Sequence, residues 1–141
     1  MKLVRALFLS FAVLACVATL SGCTTTFYHV RPGNVLPATA TISPGQRTSM
    51  WEHAIGVLLD QGYVPQVLNK DACYISAKRR EDIDSDAFAG TIVIFSVSPE
   101  GRVRLELTGG GVFDSEDKFL SALTQRQTQI LTAILNNSDV H

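Results

Sequence analysis

The alternation of apolar and polar residues is clearest in the C-terminal half of the chain, where it predicts a β-hairpin. Residues 91–98 and residues 102–108 both alternate, and they are joined by Pro99-Glu100-Gly101. A three-residue loop that ends in glycine fits a type I turn followed by a left-handed residue. This turn sets Ser98 opposite Arg102 and thereby fixes the register of the two strands.

The register divides the hairpin into two unlike faces. One face is wholly apolar and pairs Val97 with Val103, Phe95 with Leu105, and Val93 with Leu107. The opposite face pairs Ser96 with Arg104, Ile94 with Glu106, and Ile92 with Thr108. Ile92 and Ile94 are therefore the apolar residues of an otherwise polar face, and we expect either the N-terminal segment or a partner protein to cover them.

A second hairpin precedes the first along the chain. Residues 63–68 and 73–78 have the residue types of strands, and residues 69–72 (Asn-Lys-Asp-Ala) have the composition of a turn. Pro65 cannot donate to a ladder, so its strand is predicted to lie at the sheet edge or to contain a bulge. Arg79 and Arg80 follow the second strand, and we expect both to lie in solvent.

Two helices are predicted, one before and one after these strands in the sequence. The first ends at Gly62 and begins at one of two capping boxes, which start at Ser43 and at Ser49. The second begins within residues 114–117, after a glycine triplet that we expect to end the sheet. The predicted buried stripes are Trp51, Ala54, Ile55, Leu58 and Leu59 in the first helix, and Leu120, Leu123, Ile130, Leu131 and Ile134 in the second, with Phe119 and Leu135 at its margins.

The order of elements predicts a single α+β domain over residues 44–141. It is a two-layer fold in which a four-stranded antiparallel sheet of two hairpins is covered on one face by two helices, in the order α-β-β-β-β-α. Residues 23–43 contain Pro32-Gly33-Asn34 and Pro37, which predict a tether. Within this tether, residues 39–42 could add a short edge strand.

The N-terminal 22 residues have the features of an export signal. Lys2 and Arg5 precede an almost wholly apolar run over residues 7–20. This run is too short to cross a bilayer, which needs about 20 apolar residues. Its length and its basic flank are instead typical of a signal peptide.

The signal ends in Leu20-Ser21-Gly22-Cys23, which resembles the lipobox of bacterial lipoproteins. The resemblance implies a diacylglyceryl group on the thiol of Cys23 and cleavage before Cys23, so that residues 1–22 are removed. The protein would then be held at the membrane by the lipid on Cys23. Thr24, where an Asp would imply retention at the inner membrane, favours the outer membrane with the domain facing the periplasm.

Charge and cysteine content narrow the possible functions. The chain has 12 basic and 13 acidic residues, so loss of Lys2 and Arg5 with the signal leaves 10 against 13, a formal charge of −3. This balance argues against nucleic-acid binding, which needs a basic face. Cys16 would leave with the signal, and Cys73, the remaining unlipidated cysteine, is predicted to be buried.

Chemical motifs are weak. Asp82, Asp84 and Asp86 match the first three ligands of an EF-hand loop, but Ala87 and Val93 stand where its Gly and Glu belong. A solvated acidic loop is the expected interpretation. The histidines are scattered and the glycine triplet lacks a following Lys-Ser/Thr, so we predict no metal, no cofactor and no catalytic activity.

The resulting prediction is an outer-membrane-anchored periplasmic lipoprotein with a small, non-catalytic interaction domain. Ile92 and Ile94 are the candidate contacts with an envelope protein, in a structural or accessory role in envelope assembly or maintenance. The alternative is a binding protein or sensor for an apolar ligand. That function would need a cavity beside Phe95, Trp51 and Leu123.

Overall fold

A computed structural model describes residues 25–80, 88 and 90–136, in which an antiparallel sheet packs against two helices. The α+β class is confirmed, but the sheet has six strands instead of the predicted four. In chain order the elements are β1 (Thr26–Val30), β2 (Ala38–Thr41), a 3₁₀ turn (Pro44–Gln46), α1 (Arg47–Asp60), β3 (Tyr63–Asn69), β4 (Tyr74–Arg79), β5 (Ile92–Val97), β6 (Arg102–Phe113) and α2 (Glu116–Asn136).

The two additional strands come from the segment predicted to be a tether. The sheet order is β1-β6-β5-β4-β3, and β2 also pairs with β6. β1 lies opposite Gly109–Phe113 and β2 opposite Arg102–Leu105, so the two strands follow one another along β6. The short edge strand expected over residues 39–42 is therefore present as β2, whereas β1 was not predicted as a strand.

The glycine triplet does not end the sheet, contrary to the prediction. Gly109, Gly110 and Gly111 lie within β6 and pair with Val30, His29 and Tyr28 of β1. Gly109 has φ of +107°, a conformation that favours glycine. A Cβ atom on Gly110 would overlap the ring of Phe27, which lies across it. The missing side chains thus let β1 approach β6.

The predicted register of the β5–β6 hairpin is confirmed throughout. Val97 faces Val103, Phe95 faces Leu105 and Val93 faces Leu107, while Ile94 faces Glu106 and Ile92 faces Thr108. The loop closes through hydrogen bonds from Ser98 N to Arg102 O at 2.9 Å and from Gly101 N to Ser98 O at 3.0 Å. Gly101 has φ of +86°, as the turn requires.

The β3–β4 hairpin explains the position of Pro65. β3 is an edge strand, and the register shifts between Pro65 and Val67. Both of the alternatives foreseen for this proline are therefore realised in one strand. In β4, Ile75 and Ala77 are fully buried, and Cys73 just before them is 1% exposed, so the predicted burial of Cys73 is confirmed.

Helix α1 starts as a continuation of the 3₁₀ turn after Ser43. The backbone of Ser43 is extended and Pro44 occupies the first helical position, but the Ser43 side chain makes no capping hydrogen bond. The first of the two predicted starts is thus correct in position, although its capping box does not form. Gly62 ends the helix with φ of +83° and a hydrogen bond from its N–H to Leu59 O.

The buried stripes of the helices differ from the predicted ones by a few residues. Leu59 is 52% exposed, contrary to the prediction, whereas Met50 and Val57 are buried. In α2 the aromatic ring of Phe119 is central to the core, and Leu120 lies at the margin. Buried residues of both helices join the inward residues of the sheet in one hydrophobic cluster, so both helices cover the same face.

Candidate interaction surface

The sheet face opposite the helices carries the two isoleucines predicted to contact a partner. On β5 the side chains of Val93, Phe95 and Val97 are buried in the core, while Ile92 and Ile94 are only half-buried. The inward and outward sets alternate along the strand as a pleated backbone requires. Ile92 and Ile94 therefore lie on the helix-free face, as the sequence predicted.

Cross-strand pairing places two valines in the same rows as these isoleucines, two strands away. Ile92 pairs with Lys78, which pairs with Val64. Ile94 pairs with Ser76, which pairs with Val67. Val64 is 43% exposed and Val67 is 50% exposed. Together these side chains form an apolar strip, which we define as Val64, Val67, Ile92 and Ile94.

Polar side chains lie both within and beside the apolar strip. Lys78 and Ser76 stand between the valines and the isoleucines. Thr108 faces Ile92, and the next row across the sheet holds Tyr74 and Ser96. The strip therefore consists of two apolar pairs on either side of a polar row, and protein–protein interfaces commonly combine such apolar contacts with hydrogen bonds.

The N-terminal segment reaches this face at Glu106. The backbone N–H of Gly33 donates to Glu106 Oε1 at 2.6 Å, and Arg104 Nη2 donates to Glu106 Oε2 at 3.2 Å. These contacts bury Glu106 to 5% exposure, although it lies on the outward face opposite Ile94. The segment thus covers Glu106, while Ile92 and Ile94 keep part of their surface exposed.

Several sequence-predicted features are placed by the structure, and others are outside its range. Cys23, Asp82, Asp84, Asp86 and His141 lie outside the described residues. His29 is exposed and His53 is half-buried. Among the residues that are described, no group of three or more His, Cys, Asp or Glu side chains is arranged to hold a metal ion.

The residues named for an apolar ligand are core residues. Phe95 and Leu123 have no exposed surface and Trp51 is 7% exposed. The indole Nε1 of Trp51 donates to the carbonyl oxygen of Tyr74 at 3.1 Å, which fixes the ring in the packed interior. These side chains therefore give no support to the apolar-ligand alternative.

Arg79 corrects an expectation about the end of β4. The side chain is 7% exposed, so it is not in solvent. Its guanidinium lies 5.4 Å from the ring centroid of Tyr63 and donates from Nη1 to the carbonyl oxygen of Gln61. The alternation of β4 explains this burial, because Arg79 shares the inward face with Ile75 and Ala77.

Within the described part of the chain, neither helix is long and apolar enough to cross a membrane. Comparison with known proteins finds no protein family whose profile matches this chain and no curated protein with significant similarity to it.

Proposed function

We propose that this protein is a non-catalytic, outer-membrane-anchored lipoprotein whose domain binds another protein of the cell envelope. The observation that carries the proposal is the apolar strip of Val64, Val67, Ile92 and Ile94 on the helix-free face of the sheet. The lipobox-like sequence Leu20-Ser21-Gly22-Cys23 supports the membrane anchor. A structural or accessory role in envelope assembly or maintenance fits both features.

The character of the apolar strip favours a protein as its occupant. The strip lies on the open face of a β-sheet, and hydroxyl groups and the Tyr74 ring lie beside its apolar side chains. A partner that presents apolar side chains surrounded by hydrogen-bond acceptors would match it. A lipid surface is the competing occupant, and it is distinguished by the crosslinking experiment below.

The anchor is tested by metabolic labelling with an alkyne analogue of palmitate. The protein without substitutions is expected to incorporate the label and to fractionate with the outer membrane. Cys23→Ser removes the acylated thiol, so both the label and the membrane association should be lost. Cys16→Ser is the matched control, since it changes a cysteine within the signal and should retain both. Label that persists in Cys23→Ser would disprove the anchor.

The interaction surface is tested by photocrosslinking in living cells. A photoreactive amino acid at Val64, which is 43% exposed, is expected to capture a protein of defined mass. Ile92→Asp together with Ile94→Asp should abolish this product, because two carboxylates would have to be desolvated in an apolar contact. Both isoleucines lie on the outward face, so the domain should remain folded, which circular dichroism checks.

The control places two carboxylates on a different surface. Ser121→Asp with Gln125→Asp changes two exposed positions of α2 and should leave the crosslink intact. A crosslink that survives the isoleucine substitutions would contradict the proposed surface. Adducts to lipid alone, without a protein product, would show that the strip faces the membrane instead.

A further inference from the structure

An open cavity of about 700 Å³ lies at the end of the sheet where the β5–β6 turn meets β2 and the start of α1. Every charged side chain that lines it is an arginine, namely Arg47, Arg102 and Arg104. Two serines and two threonines add four hydroxyl groups, and no carboxylate lines the cavity. Without residues 1–22 the chain carries 10 basic and 13 acidic residues, so this concentration of positive charge is local.

The sheet register arranges the donors of this cavity in rows. Arg104 of β6 lies between Thr39 of β2 and Ser96 of β5, so that a hydroxyl side chain stands on each side of the arginine. Arg102 lies two residues away on the same face and pairs with Thr41. Neighbouring strands are about 4.8 Å apart and residues i and i+2 about 7 Å apart, so these arginine and hydroxyl side chains are close neighbours on one face of the sheet.

Arg47 is held in place by the backbone. Its Nε donates to the carbonyl oxygen of Val97 at 2.9 Å and its Nη1 to that of Asp71 at 3.2 Å. The guanidinium has five N–H donors in a fixed fork, and these two bonds use only part of them. Arg47 therefore contributes a preoriented positive charge to the wall of the cavity.

The acidic partners of the other two arginines stand outside the lining. Arg104 Nη2 contacts Glu106 Oε2 at 3.2 Å, and Arg102 Nη2 contacts Glu100 Oε2 at the longer distance of 3.6 Å. A hydrogen bond from Ser98, with a contribution from Arg102, lowers the pKa of Glu100, so this carboxylate stays ionised. Arg102 and Arg104 therefore each have one carboxylate partner, whereas the hydrogen bonds of Arg47 go to carbonyl oxygens.

We propose that this cavity binds a phosphate monoester group. Guanidinium forks match the geometry of phosphate oxygens, and hydroxyl groups supply further donors. A dianionic phosphate has three terminal oxygens, so it can use more of these donors than a single carboxylate can. The proposal does not depend on the envelope location or on the apolar strip, because none of the four residues of the strip lines the cavity. The group can come from a soluble ester or from a lipid headgroup.

The test titrates the full-length chain, purified in a mild detergent, and follows binding by calorimetry. The soluble probe is glycerol 3-phosphate, and the lipid probe is short-chain phosphatidic acid in the same micelles. Saturable binding of at least one probe is expected. Arg102→Gln and Arg104→Gln should each weaken it by about tenfold, since each removes a charge-assisted hydrogen bond. Both side chains are more than half exposed, at 76% and 54%, so both variants should fold.

Lys118→Gln is the control for the loss of one positive charge. Lys118 is 66% exposed and pairs with Asp114 at the start of α2, away from the cavity lining. Its substitution should change the affinity by less than about twofold, because exposed charges at a distance are screened by salt. An equal loss in Lys118→Gln would show a general charge effect and would overturn the site.

Two further comparisons identify the ligand chemistry. Binding should strengthen from pH 5 to pH 7.5, because the second pKa of a phosphate monoester is about 6 and arginine does not titrate in this range. Succinate should bind at least about tenfold more weakly than glycerol 3-phosphate. Equal binding of succinate, or no saturable binding of either phosphate probe, would overturn the proposal.

Phosphatidic acid that binds more than tenfold tighter than the soluble ester would identify a headgroup site, and equal affinities would identify a site for a soluble ester.

Discussion

The side chain of Gln127 binds the backbone of β6 at a position where neither β1 nor β2 pairs with that strand. Pairing of β2 with β6 ends at Leu105, and pairing of β1 begins at Gly109. Between these points, Gln127 Oε1 accepts from Leu107 N at 2.8 Å. Its Nε2 donates to Leu36 O at 2.9 Å, so the carboxamide bridges the β6 backbone to the chain that connects β1 and β2.

Replacement of Gln127 by leucine is expected to destabilise the fold. Gln127 is 1% exposed, and the substitution leaves a buried N–H of Leu107 without its acceptor. An unsatisfied buried group costs roughly 1–3 kcal/mol, so the free energy of unfolding should fall by about that amount. Urea denaturation measures the change. Gln129→Leu alters an exposed glutamine of the same helix and should cost less than about 0.5 kcal/mol. Equal losses for the two variants would show that the carboxamide has no bridging role.

Arg79 was wrongly predicted to lie in solvent and the burial of Gln127 was not foreseen, and both have the same physical reason. Hydrophobic periodicity assigns polar side chains to solvent, so a buried polar residue is visible only once its partner is known. The partner of Gln127 is a backbone N–H at position 107, and that of Arg79 is the ring of Tyr63 with the carbonyl of Gln61. By contrast, the burial of Cys73 followed from alternation alone, because it precedes Ile75 and Ala77 on the same face.

At the scale of elements, the sequence determined the hairpins better than the sheet edge. The β5–β6 register followed from a short turn and from three apolar pairs that a one-residue slip would destroy. The pairing of β1 could not be predicted in this way. Its partners Gly109, Gly110 and Gly111 have no side chains, so that part of β6 shows no alternation to match. Its partner also lies far away in the chain, where local periodicity carries no information about pairing.

Deletion of β1 is expected to weaken the domain substantially. Val30 is 5% exposed, and the Tyr28 ring stacks on that of Phe119 at 5.9 Å. Burial of a valine contributes about 1.5–3 kcal/mol and an aromatic pair about 0.5–1.5 kcal/mol. A chain that starts at Asn34 should therefore be less stable, by about 3 kcal/mol, than one that starts at Thr25, as urea denaturation can measure.

The comparison of these two chains distinguishes a strand from a flexible connection. A chain that starts at Thr25 retains β1 and should match the full-length chain in its free energy of unfolding. If the chain from Asn34 were equally stable, residues 26–30 would serve only as a connection and their pairing with β6 would contribute nothing.

At the scale of the whole molecule, β1 shortens the reach of the proposed anchor. A flexible tether over residues 24–43 would extend on the order of 25 Å. Because the sheet already begins at Thr26, only three residue steps separate it from Cys23. Three steps span at most roughly 10 Å, so a lipid on Cys23 would hold the β1 end of the sheet close to the bilayer.

Energy transfer to acceptor-labelled lipids tests this arrangement. Asp114 follows the end of β6 that pairs with Thr26, and Glu100 precedes the opposite end of β6. The twelve residues of β6 separate these ends by roughly 37 Å. A donor dye on Asp114→Cys should therefore transfer more energy than one on Glu100→Cys, since only the former is confined near the anchor.

Two comparisons test whether the lipid on Cys23 causes the difference in energy transfer. Cys23→Ser should abolish transfer from both positions if the lipid is the cause of the proximity. Equal transfer from Asp114→Cys and Glu100→Cys in the anchored protein would contradict a short connection at the β1 end and would favour a long, mobile one.

The pairing of β1 with β6 also sets the order in which the chain can fold. Val30 pairs with Gly109, which is 79 positions later, so this end of the sheet cannot close until residue 109 has been synthesised. At 5–20 residues per second, β1 waits roughly 4 to 16 s for its partner. During that interval the apolar side chains of Phe27, Tyr28 and Val30 have no core to enter, and they become available to chaperones or to the export machinery. The pairing of β1 with β6 thus delays completion of the sheet until β6 has been synthesised.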